Sequence, residues 1–292
     1  MTVPVNYEPL HHPPAPVPGW NSEAQIVQVF AEANGWRYYA LATDQPLPGV
    51  VFRERNGAPR FTQRAVNIVR IPGPPLTEIG NSFYTEIAMG NQFTQAWGYA
   101  ALQLEEGAPP LVVQNERVAH RSALPTLPAA PGVPLGADGR FTLYSDASAH
   151  AWAQWLFDDE VRGLLDDGTL GFHVEIAPGW LFLYAPHPLA VPDPAVWQRL
   201  LALVSALRSR LGGRVPEAGA PASPSGPPQP IEPVDDVTPA GTPAPPVPQA
   251  APLTMRSNGA AVNGARVWII TGLVVGGGAV AILATALSGA LR

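Results

Sequence analysis

Hydrophobic positions in the first two thirds of the chain follow two different periods. Between Ser22 and Asn34 the apolar residues Ile26, Val27, Phe30 and Ala31 recur on one helical face. Ser22 with Gln25 reads as a capping box at the start of this helix, and Asn34-Gly35 as its stop. The period then shortens to two. Segments WRYYALAT (36–43), VVFRER (50–55), RAVNIVRI (64–71), LTEIGNSFYTEI (76–87), TQAWGYAALQL (94–104) and PLVVQ (110–114) are rich in β-branched and aromatic residues and are punctuated by Pro and Gly. No long helical pattern separates them, so the economical arrangement is an antiparallel meander of five or six strands. The fourth and fifth segments flank AMGNQF, whose Gly90-Asn91 predicts a hairpin.

From Asn115 to Arg140 the period disappears, which reads as a loop between two halves. The second half predicts a strand over 140–146, a helix within 158–167, a strand pair GFHVEIA and WLFLYAP turning at Pro178-Gly179, and a helix from Asp193 to Leu211. In that last helix Asp193 caps, Pro194 occupies the first turn, Gly212-Gly213 follow the end, and Trp197, Leu200, Leu201, Val204 and Leu207 form the apolar stripe. The expected fold class is α+β: an antiparallel β-rich head over residues 21–213 with three or so helices, large enough to bury its own core. Residues 1–20 hold six prolines and neither a basic nor an apolar leader region, so they read as an extended arm rather than a signal peptide, with His11-His12 a loop pair more than a metal site.

A third pattern closes the chain. Val267 to Leu291 is a run of 25 residues without a charge. A bilayer core of about 30 Å needs roughly 20 apolar helical residues, so this run is expected to be a single transmembrane, tail-anchoring helix with the lipid bilayer as its partner. Residues 214–266 before it are proline-rich, a composition that predicts a disordered or extended spacer. Its PxxP pattern at Pro227 to Pro230 is what such a spacer yields without any ligand. Arg256 and Arg266 stand on the head side of the apolar run and Arg292 alone beyond it, which orients the head toward the cytoplasm. Gly272 and Gly276 form a G-x-x-x-G, the spacing that lets two transmembrane helices approach closely and form a homodimer.

Composition then removes chemistries. The chain has no Cys and no Lys, so all 17 basic residues are Arg, and a thiol nucleophile, a thiolate metal site, a disulfide, a P-loop lysine and a Schiff-base lysine are all excluded. The net charge of −6 resides mainly in the head, which carries 13 Arg against 19 acidic residues over 1–213; nucleic acid is therefore not an expected partner. No cofactor motif is present.

Candidate chemistry is sparse. Asp158, Asp159, Glu160, Asp166 and Asp167 form a carboxylate cluster that could act in general acid and base catalysis, although Asp158 and Asp159 also suit a helix N-terminus and Asp166-Asp167-Gly168 a turn. Asp146 and His150 could meet at the end of a strand. The candidate catalytic set is thus Asp146, His150, Asp158 and Asp159. His173 and Glu175 alternate with Phe172, Val174 and Ile176 and so share one face of a strand, expected to be its wet face. Trp152, Trp155 and Phe157 are expected to pack around a helix.

The segments NIVR (67–70), EIGNSFYT (78–85), WGYAALQL (97–104), FTLYSD (141–146) and EIAPGWLFLY (175–184) taken together resemble a family of uncharacterised actinobacterial single-pass membrane proteins. Where such proteins often carry Leu-Pro-His, this chain has Ala108-Pro109-Pro110. The resemblance implies no activity, cofactor or catalytic residue. The leading expectation is a non-enzymatic binding or scaffolding module with a cytoplasmic head that meets an unknown protein partner at the cell membrane. The alternatives are a membrane-anchored hydrolase using the Asp/His set and a surface-exposed stalked protein.

Overall fold

A computed structural model of the chain describes residues 4–19, 21–42, 46–105, 107–120, 122–211 and 255–257. In chain order the elements are α1 (Glu8–His11), α2 (Ser22–Ala33), β1 (Arg37–Leu41), β2 (Arg64–Ile71), β3 (Thr77–Ala88), β4 (Asn91–Gln103), β5 (Leu111–Asn115), α3 (Glu116–Ala119), β6 (Thr126–Pro128), β7 (Val133–Pro134), β8 (Phe141–Ser145), a 3-10 turn over Ala147–Ala149, α4 (His150–Leu156), α5 (Asp159–Leu165), β9 (His173–Ala177), β10 (Trp180–Ala185), α6 (Pro194–Leu211) and β11 (Met255–Ser257). The class is α+β, with a nine-stranded sheet in the order β1-β2-β3-β4-β10-β9-β5-β8-β7, antiparallel at every pairing.

Local signals explain much of this. Asn21, rather than Ser22, caps α2, its side chain accepting from the N–H groups of Glu23 and Ala24. Asp193 accepts from Ala195 N at 2.8 Å ahead of Pro194 in α6. The β3–β4 hairpin is antiparallel as expected but tighter: its ladder runs to Ala88↔Asn91, so the turn is Met89-Gly90, with φ of 51° and 77°. Both central residues have positive φ, as a two-residue type I′ connection requires.

Two expectations fail. The meander stops after four strands, because the β9–β10 hairpin inserts between β4 and β5, pairing Tyr184↔Tyr99 on one side and Glu175↔Val112 on the other. This hairpin is buried on both faces, Val174, Ile176, Leu181 and Leu183 on one and Phe182 and Tyr184 beside His173 and Glu175 on the other, and such a ribbon belongs at the centre of a covered sheet. The segment Val50–Arg55 is not a strand. Gly49 O accepts from both Phe52 N and Arg53 N, which turns the chain, and Arg60 donates Nε and Nη2 to Val50 O at 2.9 and 2.7 Å. Val50, Val51 and Phe52 are thereby driven into the sheet as a plug.

The sheet consequently has a core on each face. On one, α2, α4, α5 and α6 bury Phe30, Trp152, Leu165 and Trp197 against Val69, Ile79, Leu102, Val174 and Leu183. On the other, the plug and Leu124 and Leu127 cover Ile68, Trp97, Tyr99, Phe182 and Tyr184. Trp152 and Phe157 are buried and Trp155 is half-buried, so this aromatic run packs as anticipated. The arm is not a free extension over its described part: Leu10 is buried, Tyr7 stacks on Phe30, and Asn6 exchanges hydrogen bonds with Asn34. Apart from Met255–Ser257, residues 212–292 lie outside the described residues, and so do the anticipated anchor and Gly272 and Gly276. Among the described residues no helix is long and apolar enough to cross a membrane.

Candidate functional site

At one end of the sheet the β4–β5 connection, the β9–β10 turn, the end of β8, strand β6 and the plug loop enclose a cavity of about 710 Å³. Its walls are mostly apolar and stiff: Pro48, Pro109, Pro110, Pro128 and Pro178 stand with Val50, Val112 and Ile176. A volume of this order accommodates a drug-sized molecule or a few side chains. Arg53 belongs to the wall but is spent on structure, its guanidinium donating to the carbonyls of Pro46, Leu47 and Gly57. Arg55 and Glu105, both exposed, supply charge at the rim.

Glu175 is the polar feature of the interior. It sits on β9 facing the second core and is 5% exposed. Its Oε2 accepts from Tyr184 Oη at 2.7 Å and from Val50 N at 2.9 Å, Oε1 takes no hydrogen bond among the described residues, and the residue lines the cavity. Burial pushes the carboxyl up to about 7, opposed only in part by those two donors and by Arg60. The Tyr184 hydroxyl is itself held well above its usual range, by burial and then by Glu175, so it remains a donor. With Oε2 engaged as a double acceptor, the neutral acid carries its proton on Oε1, the oxygen left free to donate a hydrogen bond. A second buried glutamate makes the contrast. Glu78 accepts from Tyr99 Oη at 2.7 Å in the same manner but is paired with Arg70 at 2.7 Å, whereas Glu175 has no ion pair among the described residues.

Close approach of the plug loop creates this geometry. A Cβ on Gly49 would lie 2.0 Å from Tyr184 Oη and 3.1 Å from Glu175 Oε2. Gly49→Ala is therefore expected to expel the loop from the sheet, cost about 1 to 3 kcal/mol of stability as an overpacking change, and expose Phe52; chemical denaturation and hydrogen exchange of Val50 N would register both.

The expectation that His173 and Glu175 form a wet face is overturned. They do share a face, but a second layer covers it, and His173 is 0% exposed beside Trp97. Its Nδ1 accepts from Asn115 N at 3.2 Å and its Nε2 meets Ser122 O at 3.0 Å, which fixes the neutral Nε2–H tautomer. Burial lowers it to about 4, so it is a structural imidazole rather than a base.

The sequence candidates are dispersed. Asp146 lines the cavity, exposed. His150 opens α4 and is absent from the cavity wall. Asp158 caps α5, accepting from Val161 N at 3.0 Å, and pairs with Arg210 at 2.7 Å; burial pushes its carboxyl up, but these donors outweigh it and hold the group below its ordinary value. Asp159 pairs with Arg162. Asp166 and Asp167 are taken up by Arg117, Arg199 and the turn that follows. No hydrogen bond or ion pair joins Asp146, His150, Asp158 and Asp159 among the described residues, and in that set no group of three or more His, Asp and Glu is placed to hold a metal ion. The residues that the sequence reading missed are Glu175, Tyr184 and Gly49.

The chain matches no protein-family model, no curated protein and no solved structure.

Proposed function

We propose that this protein is a binding module rather than a hydrolase, and that its head takes a small, largely apolar ligand carrying a hydrogen-bond acceptor such as a carbonyl. The observation that carries this reading is Glu175, a buried carboxyl on the wall of a largely apolar cavity, with Oε2 engaged by Tyr184 Oη and Val50 N and Oε1 without a hydrogen bond among the described residues. Apolar walls supply affinity by burial, and the buried carboxyl orients the ligand, which is the common composition of a ligand site. Tethering by the apolar run at 267–291, with the head toward the cytoplasm, fits the resemblance to single-pass membrane proteins and places the ligand near the bilayer. The hydrolase alternative keeps one support, that Asp146 lines the same cavity as Glu175.

The test uses full-length chain in detergent and the fluorescent apolar anion 1-anilinonaphthalene-8-sulfonate. Native protein should bind one equivalent. Ser148→Trp, at an exposed cavity position, should fill the space and abolish binding without lowering the melting temperature. Affinity for the anion should fall as pH rises through about 7, when Glu175 ionises, and Glu175→Gln should remove that dependence. Binding indifferent to Ser148→Trp would refute the reading, and aryl-ester turnover lost in both Glu175→Gln and Asp146→Asn would establish the hydrolase in its place.

A further inference from the structure

We propose that Met255–Ser257 is a docking strand by which the chain captures its own tether on the edge of β6. The inference stands apart from the identity of the cavity ligand. β6 lies over the second core, anchored by Leu127, which is buried there, while its neighbours Thr126 and Pro128 line the cavity. It takes no part in the nine-stranded sheet. Its one strand partner among the described residues is β11, in the antiparallel register Met255↔Pro128, Arg256↔Leu127 and Ser257↔Thr126. An isolated strand edge of this kind is a template for an added strand, with affinity coming from main-chain hydrogen bonds.

The placement in sequence gives the contact its meaning. Met255–Ser257 stands where the proline-rich stretch ends, and ten residues further on the apolar run begins. Docking there returns the far end of the linker to the head, so the cavity rim and the approach to the apolar run are held together. Three residues form too short a ladder to bind well from free solution. With 43 residues of chain between Leu211 and Met255, docking is intramolecular, at an effective concentration on the order of mM. A separate peptide of the same sequence should therefore fail to compete at about 10 μM, well below that effective concentration.

The register dictates a test. Pro128 has no N–H, so the hydrogen-bonded pair of this ladder falls at Arg256 and Leu127, and Thr126 and Ser257 become the adjacent non-hydrogen-bonded pair. Such pairs have Cα atoms about 4.5 Å apart, a separation at which a disulfide closes. The chain has no native cysteine, so introduced pairs report without background. In full-length protein in detergent, Thr126→Cys with Ser257→Cys should form an intramolecular disulfide at least ten-fold faster than Thr126→Cys with Ser223→Cys, a control in the linker. Adding Arg256→Pro, which removes the central N–H, should bring the rate down to that of the control, whereas Arg256→Gln should leave it unchanged, because the backbone and not the charge makes the ladder. In the cysteine-free chain, Arg256→Pro should also raise the exchange rate of Leu127 N–H at least ten-fold. Equal rates for the two cysteine pairs, Leu127 exchange insensitive to Arg256→Pro, or disulfides that form only between two chains would each overturn self-capture.

Discussion

Replacing Glu175 with Gln is expected to give the protein, between pH 4.5 and 6.5, a slope of stability with pH that is nearly absent from the wild type. Two buried groups on one strand face titrate against each other. Glu175 is raised from 4.5 to about 7, so the folded state keeps a proton that the unfolded chain has lost, and stability falls as pH rises through that window. His173 is lowered from 6.5 to about 4, so between those values the unfolded chain holds a proton that the folded state refuses, and stability rises with pH. Between 4.5 and 6.5 the two slopes have opposite sign and similar size, and they cancel. Carboxylates held low, among them Asp158, Asp166 and Asp167, act below this window. Gln at 175 keeps an acceptor for Val50 N and Tyr184 Oη but cannot titrate. The variant should then gain on the order of 3 kcal/mol of stability between pH 4.5 and 6.5, from the titration of His173 alone at about 1.4 kcal/mol per pH unit. His173→Gln should show the opposite slope. Urea midpoints measured across this range check both, and a Glu175→Gln profile parallel to that of the wild type would contradict the assignment.

Asn81→Ala is expected to be the most destabilising polar substitution in the head. Asn81, on β3, is buried, and its side chain ties down the segment between β10 and α6: Oδ1 accepts from Leu189 N at 2.8 Å and Ala190 N at 3.0 Å, and Nδ2 donates to Ala190 O at 3.1 Å. The same segment passes so close to β4 that Gly98 N donates to His187 O at 2.8 Å, and a Cβ on Gly98 would stand 2.4 Å from that oxygen. Alanine at 81 leaves two N–H groups and a carbonyl without partners in a place that water does not reach. Each unsatisfied group costs about 1 to 3 kcal/mol, so a loss of about 4 kcal/mol is expected. Whole domains are stable by about 5 to 15 kcal/mol, and in a domain of this size each kcal/mol shifts the thermal midpoint by about 2 to 4 °C, so a drop on the order of 10 °C is expected. A shift of only a few degrees would mean that the segment between β10 and α6 is held by its apolar contacts, Leu189 and Ala190, instead.

How far the sequence exposes this structure depends on whether the determining physics is local. Helices α2 and α6 are legible because a cap, a 3.6-residue stripe and a stop coincide. The β3–β4 and β9–β10 hairpins are legible because Gly90 and Pro178-Gly179 interrupt clear alternation. The insertion of β9–β10 between β4 and β5 is not, since strand order is settled by which ribbons carry large apolar side chains on both faces and so need covering twice. VVFRER reads as a strand because its β-branched residues have strand propensity; what defeats propensity is Gly49, whose missing side chain lets the loop press against Tyr184 and Glu175, together with Arg60, which ties Val50 O from ten residues away. The site follows the same rule. Alternation correctly puts His173 and Glu175 on one face, but no local pattern says that Val50 to Phe52, more than 120 residues earlier, close over it. The signal that could have found Glu175 is its partner strand, where Phe182 and Tyr184 occupy the same face, an aromatic surface too large to be left wet.

The proposed binding function depends on the protonation state of one carboxyl. Carbon-13 NMR of full-length protein labelled at the glutamate carboxyl, with the Glu175 resonance assigned by its loss in Glu175→Gln, follows that state directly. A titration midpoint near 7 is predicted, with the carboxyl neutral at pH 6. A midpoint near the ordinary glutamate value of about 4.3 would mean that Glu175 is a charged group open to water, and the cavity would then lack the neutral donor on which the proposed binding function depends.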